Sequence, residues 1–176
     1  GEFAEDGKLQ KLLEDFKIKY SGSGVFASKL CMNKFRSAEI VKKIPGLKFP
    51  DTFKQTVNIL SVPKGLRYPF VVKPNALGSS VGVHIVKNEK EFIIALSEIK
   101  KKNHVKDILL QEYIADAVEI SCGCLEKKNW ELIELPPIEI IPNISNIFDY
   151  SSKYDLGGSI EVVPPVSLNK KTSKKI

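Results

Sequence analysis

Cysteine, histidine and long apolar runs are scarce in this chain, and each scarcity excludes a class of protein. The 176 residues include three cysteines, an odd number, and two histidines without metal-ligand spacing. Cys122 and Cys124 alternate within an apolar strand pattern, which predicts buried, reduced thiols and a cytoplasmic location. No apolar run approaches the ~18–20 residues of a membrane span. The first twenty residues mix charged and apolar positions, unlike a signal peptide.

Negative charge is in deficit, because 21 aspartates and glutamates face 27 lysines and arginines, for a formal net charge of +6. Such a balance can indicate a nucleic-acid partner. Most lysines are scattered, however, and the one dense run carries no interleaved aromatic residues: Lys170, Lys171, Lys174 and Lys175. A solvated tail or an unfinished helix explains that run, so we predict no nucleic-acid partner and no membrane partner.

A glycine- and serine-rich loop between two short apolar strands is the most informative segment. Lys73 follows a strand at Tyr68 to Val72, the loop is Gly78-Ser79-Ser80-Val81-Gly82, and a second strand covers Val81 to Val86. The lysine precedes the glycines, so this is not a Walker A loop. Backbone N–H groups of such a loop can converge on an anion, to which lysine adds charge and serine adds donors. We predict a β-hairpin whose tip covers nucleotide phosphates; the alternative is an ordinary Gly/Ser hairpin turn.

The remaining patterns predict helices interspersed with hairpins. One helix is expected from Asp6 as N-cap to about Lys19, with Leu9, Leu12, Leu13 and Phe16 as its apolar face. Two more are expected at Val25 to Asn33 and from Ser37 to Ile44. A fourth follows the capping box Asn88 to Glu91, with Phe92, Leu96 and Ile99 as its apolar stripe. Strands are expected at Asp107 to Ile114, Val118 to Leu125, Leu132 to Ile141 and Ile160 to Val163, with a long loop at 143–158. These elements favour an α+β fold with antiparallel sheets and flanking helices.

Four further segments are candidates for a nucleotide site. Lys34 is either a second phosphate-binding lysine or a surface lysine. Glu112-Tyr113-Ile114 ends a strand, where backbone groups are free to bond an adenine edge. Glu119 either accepts from ribose hydroxyls or lies on the solvent face of its strand. The loop at 143–158 carries charged and phenolic side chains and is either a lid over a substrate or a structural Ω-loop.

In order and spacing these residues resemble the D-alanine–D-alanine ligases of the ATP-grasp superfamily. Any one motif is weak, whereas the ordered set is specific and covers essentially the whole chain. The matching segments are Gly1, Glu5-Asp6-Gly7-Lys8-Leu9-Gln10, Leu12-Leu13-Glu14, Tyr20-Ser21-Gly22-Ser23-Gly24, Met32-Asn33-Lys34, Val72-Lys73-Pro74, Gly78-Ser79-Ser80-Val81-Gly82, Glu112, Glu119 and Phe148-Asp149-Tyr150-Ser151-Ser152-Lys153-Tyr154.

The resemblance implies a partial ATP-grasp fold and an enzyme that joins two D-alanines for peptidoglycan through a D-alanyl phosphate, with ATP and Mg²⁺ as cofactors. It implies that Lys34 and Lys73 contact phosphates, that Glu112, Tyr113 and Ile114 hold adenine, and that Glu119 holds the ribose. The loop residues that would touch the β- and γ-phosphates are Gly78, Ser80, Val81 and Gly82.

The same resemblance assigns the substrate side. Ser79 and Tyr154 would belong to a hydrogen-bonded set that closes the loops over the substrate. Lys153 would lie near the transferred phosphate, and Glu5 beside the first D-alanine. Tyr154 resembles the alanine-specific members rather than the depsipeptide-forming relatives.

Departures from the family pattern are Asn33 in place of Asp, Leu77 in place of Glu, and Val163-Pro164-Pro165 in place of a Cys-Pro-Ala-like segment. We also expect a piece of a longer chain. The glutamate that holds the first D-alanine's amino group would precede Gly1, and the oxyanion arginine and Mg²⁺ ligands would follow Ile176. The 176 residues alone are therefore expected to have little or no ligase activity.

The expected organisation has three parts: 1–27, the end of an N-terminal substrate domain; 28–115, the small ATP-grasp subdomain; and 116–176, the start of the large subdomain. The full-length protein is expected to be a homodimer that binds D-alanine and ATP. The alternatives are another ATP-grasp carboxylate–amine ligase, or a non-catalytic nucleotide- or nucleic-acid-binding module.

Overall fold

The computed structural model describes residues 3–59, 61–102, 104–143, 150–169 and 172. The chain divides into two compact units, Gly1–Ile114 and Ala115–Ile176. Phe148, Asp149 and the four lysines of the C-terminal run lie outside the described residues. No helix in the described part of the chain is long and apolar enough to cross a membrane.

In its described residues, the first unit contains four helices and a four-stranded antiparallel sheet of order β1-β4-β2-β3. Its helices are α1 (Lys8–Asp15), α2 (Val25–Met32), α3 (Lys34–Val41) and α4 (Glu89–Lys100). Its strands are β1 (Thr52–Thr56), β2 (Phe70–Pro74), β3 (His84–Val86) and β4 (Asp107–Glu112). The predicted hairpin is confirmed, because β2 pairs with β3 in antiparallel register.

One face of this sheet packs on α4 and forms the core. The predicted stripe Phe92, Leu96 and Ile99 is buried, and the Phe70 and Phe92 rings meet edge to face at 5.5 Å. The predicted capping box also forms, with Asn88 Oδ1 accepting from Glu91 N at 3.0 Å. Because β-strand side chains alternate, burial of Phe70 and Val72 places Lys73 on the opposite face of β2.

Two predicted helix starts are corrected. Gly7, rather than Asp6, is the N-cap of α1, and a Cβ at Gly7 would lie 2.7 Å from the Val25 carbonyl oxygen. Asp6 still accepts from Lys8 N at 3.1 Å. The third helix begins at Lys34 instead of Ser37, because Asn33 caps it by accepting from Arg36 N at 3.1 Å. The apolar face predicted for α1 is not buried, since Phe16 is 69% exposed.

The second unit is built from short strands and one short helix. It contains β5 (Glu119–Ser121), β6 (Cys124–Glu126), β7 (Leu132–Glu134), β8 (Ile138–Pro142), α5 (Tyr150–Tyr154) and β9 (Ser159–Val162). A three-stranded sheet has the order β5-β8-β9, and β6 pairs with β7 alone. The prediction of one strand from Val118 to Leu125 is therefore wrong, because the chain changes sheets near Gly123.

The predicted burial of Cys122 and Cys124 is also wrong. Both thiols are free and exposed, as is Cys31. The sequence does alternate between apolar and polar residues, but in the described second unit no sheet covers the face that carries the cysteines. All residues of β6 and β7 are exposed. The segment predicted as a loop at 143–158 contains α5.

A buried carboxylate on the sheet of the second unit binds residues 166 and 167. Glu139 on β8 is 3% exposed and accepts hydrogen bonds from Val166 N at 2.7 Å and Ser167 N at 2.8 Å, and another from the Ser167 hydroxyl. The Ser167 hydroxyl, followed by the backbone donors, lowers the pKa of Glu139 below its ordinary value despite the opposing effect of burial.

We expect Glu139→Gln to lower the thermal midpoint of the chain by several degrees at pH 7. Since the pKa of Glu139 is depressed in the folded state, its stabilisation is present above the unfolded pKa and is lost as pH falls through the folded pKa. The difference between variant and wild type should therefore shrink on acidification. Circular-dichroism melts from pH 7 to pH 3 measure it. Glu134→Gln, at an exposed position on β7, is the control, and equal melting of all three proteins would contradict the prediction.

Candidate functional site

A buried asparagine joins the first sheet to helix α3. Asn75 follows β2, is 4% exposed, and donates its backbone N–H to Asp107 O at 3.0 Å. Its carbonyl oxygen accepts from Lys34 N at 3.0 Å, and its Oδ1 accepts from Phe35 N at 3.0 Å. With Asn33 accepting from Arg36 N, the first three N–H groups of α3 are all satisfied. Asn75 therefore fixes the start of α3, and with it Lys34, relative to Lys73.

The two lysines line one cavity of about 320 Å³ in the first unit. Lys34 and Ser37 enter it from α3, Lys73 from β2 and Gln111 from β4. The rest of the lining is largely apolar and includes Val41, Phe49, Pro50 and Leu109. Apolar walls with a few polar groups at defined positions are typical of small-molecule sites, and two lysines select for an anionic ligand.

Lys73 contacts a neutral amide and forms no ion pair with a carboxylate among the described residues. Its Nζ donates to the amide oxygen Oε1 of Gln111 at 2.7 Å. Burial lowers the pKa of Lys73 below its ordinary value, because desolvation disfavours the ammonium. An incoming anion would relieve this cost, which makes Lys73 a favourable contact for phosphate.

The glycine- and serine-rich loop closes as a strained turn. Ser79 and Ser80 have φ values of 54° and 56°, and Val81 N donates to Gly78 O at 3.1 Å. Turns with positive φ at both central residues favour Asn and Gly, so two serines there carry a conformational cost. Lys34 Nζ donates to Leu77 O and so ties the base of the loop to the cavity. This loop therefore combines serine hydroxyl donors and backbone strain with the charge of Lys34 at its base.

Two loop residues have structural roles in addition to their predicted phosphate contacts. The N–H of Val81, assigned to phosphate, is used to close the turn, so its phosphate contact stays a prediction that requires the turn to open. Gly82 has φ of 76°, and a Cβ there would lie 3.1 Å from Pro74 Cγ. Gly82 is therefore required for the loop to return against β2, independently of any ligand.

The adenine segment is partly corrected. The backbone N–H of Glu112, predicted to be free, donates to Asp51 O at 2.8 Å, and Glu112 Oε2 accepts from Asp51 N at 3.2 Å. Glu112 thus holds the chain entering β1. Tyr113 and Ile114 follow β4, and their adenine contacts stay predictions. Glu5 is exposed in the first unit, two residues before Gly7.

The other predicted site residues belong to the second unit. Glu119 opens β5 and is exposed, opposite Ile140 on β8. Lys153 and Tyr154 lie in the last turn of α5, where the Tyr150 and Tyr154 rings pack with centroids 4.8 Å apart. Ser152, beside them, is buried. Their assigned roles stay predictions.

Sequence reasoning missed Asn75, Gln111 and Thr52. Asn75 had a signal, since a polar residue directly after Lys73-Pro74 marks a strand end that faces other elements. Gln111 follows the apolar run Ile108 to Leu110 directly, and this position on the strand could have identified it as a candidate.

Comparison with known proteins identifies the family. The family model described as "D-ala D-ala ligase C-terminus" matches residues 44–176. The chain belongs to the D-alanine–D-alanine ligase family. It is 36% identical over 167 residues to D-alanine–D-alanine ligase A of Bacillus cereus, covering 93% of this chain and 52% of that protein. The chain thus spans about half the length of the relatives it matches.

Solved D-alanine ligase structures confirm the α+β ATP-grasp fold class. The VanG D-Ala:D-Ser ligase of Enterococcus faecalis matches with a TM-score of 0.79 and 28% identity, over 99% of this chain and 50% of that one. The Bacillus anthracis D-alanine–D-alanine ligase complexed with ATP matches with a TM-score of 0.69 and 28% identity, over 99% of this chain and 54% of that one.

We expect Asn75→Ala to destabilise the first unit by about 1–3 kcal/mol, because it leaves the part-buried Phe35 N–H without its acceptor. Asn75→Asp keeps an oxygen acceptor at the start of α3 and is the matched variant. Urea unfolding followed by circular dichroism measures both. Equal loss in the two variants would show that the acceptor of Asn75 does not hold this ligase segment together.

Proposed function

We propose that this chain forms the nucleotide-phosphate site and part of the substrate cover of an ATP-dependent D-alanine–D-alanine ligase of peptidoglycan synthesis. The observation that carries the proposal is the convergence of Lys34 and Lys73 on one cavity, beside a serine turn, in a chain of this family. This chain covers about half the length of each relative. The complete ligase reaction, which belongs to the whole enzyme, is therefore part of the proposal.

The cavity fits the chemistry of ATP. Lys73 supplies an ammonium whose partner is the neutral amide of Gln111, and Lys34 supplies a second cation from α3. The hydroxyls of Ser79 and Ser80 are donors for phosphate oxygens, and the apolar lining suits the base. When bound, ATP supplies the phosphoryl group that activates a D-alanine carboxylate. The task of these residues is to bind the phosphates, orient them and exclude water.

The substrate side of the proposal rests on the second unit and on Glu5. Tyr154 and Lys153 come from one short helix, where packing of the Tyr150 ring restricts the Tyr154 ring. We assign Tyr154, with Ser79, to the closure of the loops, Lys153 to the transferred phosphate, Glu119 to the ribose and Glu5 to the first D-alanine.

The wider proposal includes Mg²⁺, a homodimer, a cytoplasmic location and the three-part division at 27 and 115. The described residues contain no cluster of three or more possible metal ligands. The family resemblance implies that the magnesium ligands come from other parts of the enzyme.

A D-Ala:D-Ser ligase is the second candidate. The observation behind it is that VanG, a D-Ala:D-Ser ligase, matches 99% of this chain with a TM-score of 0.79. Comparison of D-alanine and D-serine as second substrates, in a protein that includes this chain and a complete ligase domain, separates the two.

We expect Lys73→Ala to weaken ATP binding to the chain by about 1–3 kcal/mol, as for loss of one charge-assisted contact. The exposed Lys64→Ala is the charge-matched control. Because the pKa of Lys73 is lowered, wild-type affinity should fall as pH rises through that lowered pKa, and the Lys73→Ala variant should lack this step. Calorimetric titrations from pH 7 to pH 10 measure both effects. Unchanged affinity in Lys73→Ala would remove Lys73 from the site.

We expect ATP to slow hydrogen exchange in residues 77–83 while phosphate release from ATP, Mg²⁺ and D-alanine stays at background in the 176-residue chain. Exchange mass spectrometry and a phosphate assay measure the two. Robust phosphate release would overturn the expectation that the catalytic machinery is incomplete. Salt-sensitive RNA binding without ATP protection would instead favour the nucleic-acid-binding alternative.

A further inference from the structure

A directed chain of hydrogen bonds ends on the ammonium of Lys73. Thr52 Oγ1 donates to Pro50 O at 2.9 Å, Gln111 Nε2 donates to Thr52 Oγ1 at 2.7 Å, and Lys73 Nζ donates to Gln111 Oε1 at 2.7 Å. The strands hold these side chains on one sheet face, since Thr52 pairs with Gln111, and Gln111 with Val71, two residues before Lys73.

The groups at the two ends of this chain, the Pro50 carbonyl and the Lys73 ammonium, set the direction of its hydrogen bonds. A carbonyl oxygen can only accept, so the single hydroxyl hydrogen of Thr52 is used on Pro50. Thr52 can then only accept from Gln111, which must present its NH₂ group to Thr52 and its oxygen to Lys73. The carbonyl of Pro50 at one end, which can only accept, and the ammonium of Lys73 at the other, which can only donate, together fix the orientation of the Gln111 amide.

We propose that Gln111 is a positioning residue for Lys73: its oriented, neutral amide aims the ammonium into the cavity without neutralising it, so that the charge remains available to a polyphosphate. The polyphosphate part rests on the proposed function; the control of Lys73 does not. A carboxylate at position 111 would also orient the lysine but would compete with phosphate for its charge.

Other charged groups on this face leave that role to Gln111. Lys34 and Cys31 line the same cavity from the helices. On β1 and β4, Lys54 and Asp107 form an ion pair with each other at 2.7 Å. On β3, Ile85 pairs with Val71 on this face, whereas His84 lies on the other face near Glu98. Burial is the cause of the lowered Lys73 pKa.

The first test measures the titration of Lys73 in the whole 176-residue chain. Lysine labelled with ¹³C at Cε is followed by NMR from pH 7 to pH 12, and Lys73 is assigned by its missing signal in Lys73→Ala. We expect Gln111→Glu to move the Lys73 midpoint upward, because a carboxylate stabilises the ammonium. Asn58→Asp, the same amide-to-carboxylate change at an exposed turn after β1, should leave it in place.

The relay has its own variant pair. Thr52→Val removes the hydroxyl that orients the Gln111 amide and should shift the Lys73 midpoint, whereas Thr52→Ser should restore the wild-type value. A merely structural role for Thr52 would change the melting temperature of Thr52→Val and leave the titration unchanged. Identical Lys73 midpoints in wild type, Gln111→Glu and Thr52→Val, all folded by circular dichroism, would overturn the inference.

The second test uses inorganic tripolyphosphate at pH 7.5 in a calorimeter. We expect Gln111→Glu to lower its affinity by about tenfold relative to wild type and Asn58→Asp. If wild type fails to bind while Gln111→Glu still shifts the Lys73 midpoint, the proposed function fails and the control of Lys73 stands. If both proteins bind equally and the midpoint is unchanged, the inference fails and the proposed function stands.

Discussion

The geometry of the candidate site depends on the hydrogen bonding of one buried amide. A buried polar side chain is costly unless its groups are bonded, and Asn75 bonds the start of α3, while its backbone bonds the start of β4. Two of its partners belong to α3 and one to β4, so this single residue connects the helix to the sheet. Lys34 and Lys73 line the same cavity as a direct consequence.

The same strand that builds the core also carries the charge. Phe70 and Val72 pack against α4, and strand alternation turns Lys73 to the opposite face. A side chain on a packed strand is held more precisely than one on a loop. This precision has two costs, the desolvation of Lys73 and the positive φ angles of Ser79 and Ser80. Because both costs occur at one place, they mark this part of the fold as a candidate ligand site.

Local patterns predicted the elements well and their partners poorly. The α4 stripe and the β2–β3 hairpin follow from periodicity and turn residues, which act over a few positions. The start of α3 was missed because Asn33 and Asn75 cap it together, and Asn75 lies about forty residues away in the chain. Burial of Cys122 and Cys124 was wrongly predicted because alternation shows that a strand has two faces but not which face is covered. Gln111 was overlooked for a similar reason, since its partners Lys73 and Thr52 are distant in sequence.

The register of β4 determines whether an amide or a carboxylate lies beside Lys73. Gln111 and Glu112 are adjacent, so alternation sends the neutral amide toward Lys73 and the carboxylate away from that face. A slip of one residue would exchange them and place a carboxylate beside the lysine. Two features oppose that slip: burial of Ile108 and Leu110 in the core, and the paired hydrogen bonds between Glu112 and Asp51. The bonds of Glu112 to Asp51 hold its carboxylate away from the cavity, so Lys73 keeps the uncharged Gln111 amide as its partner.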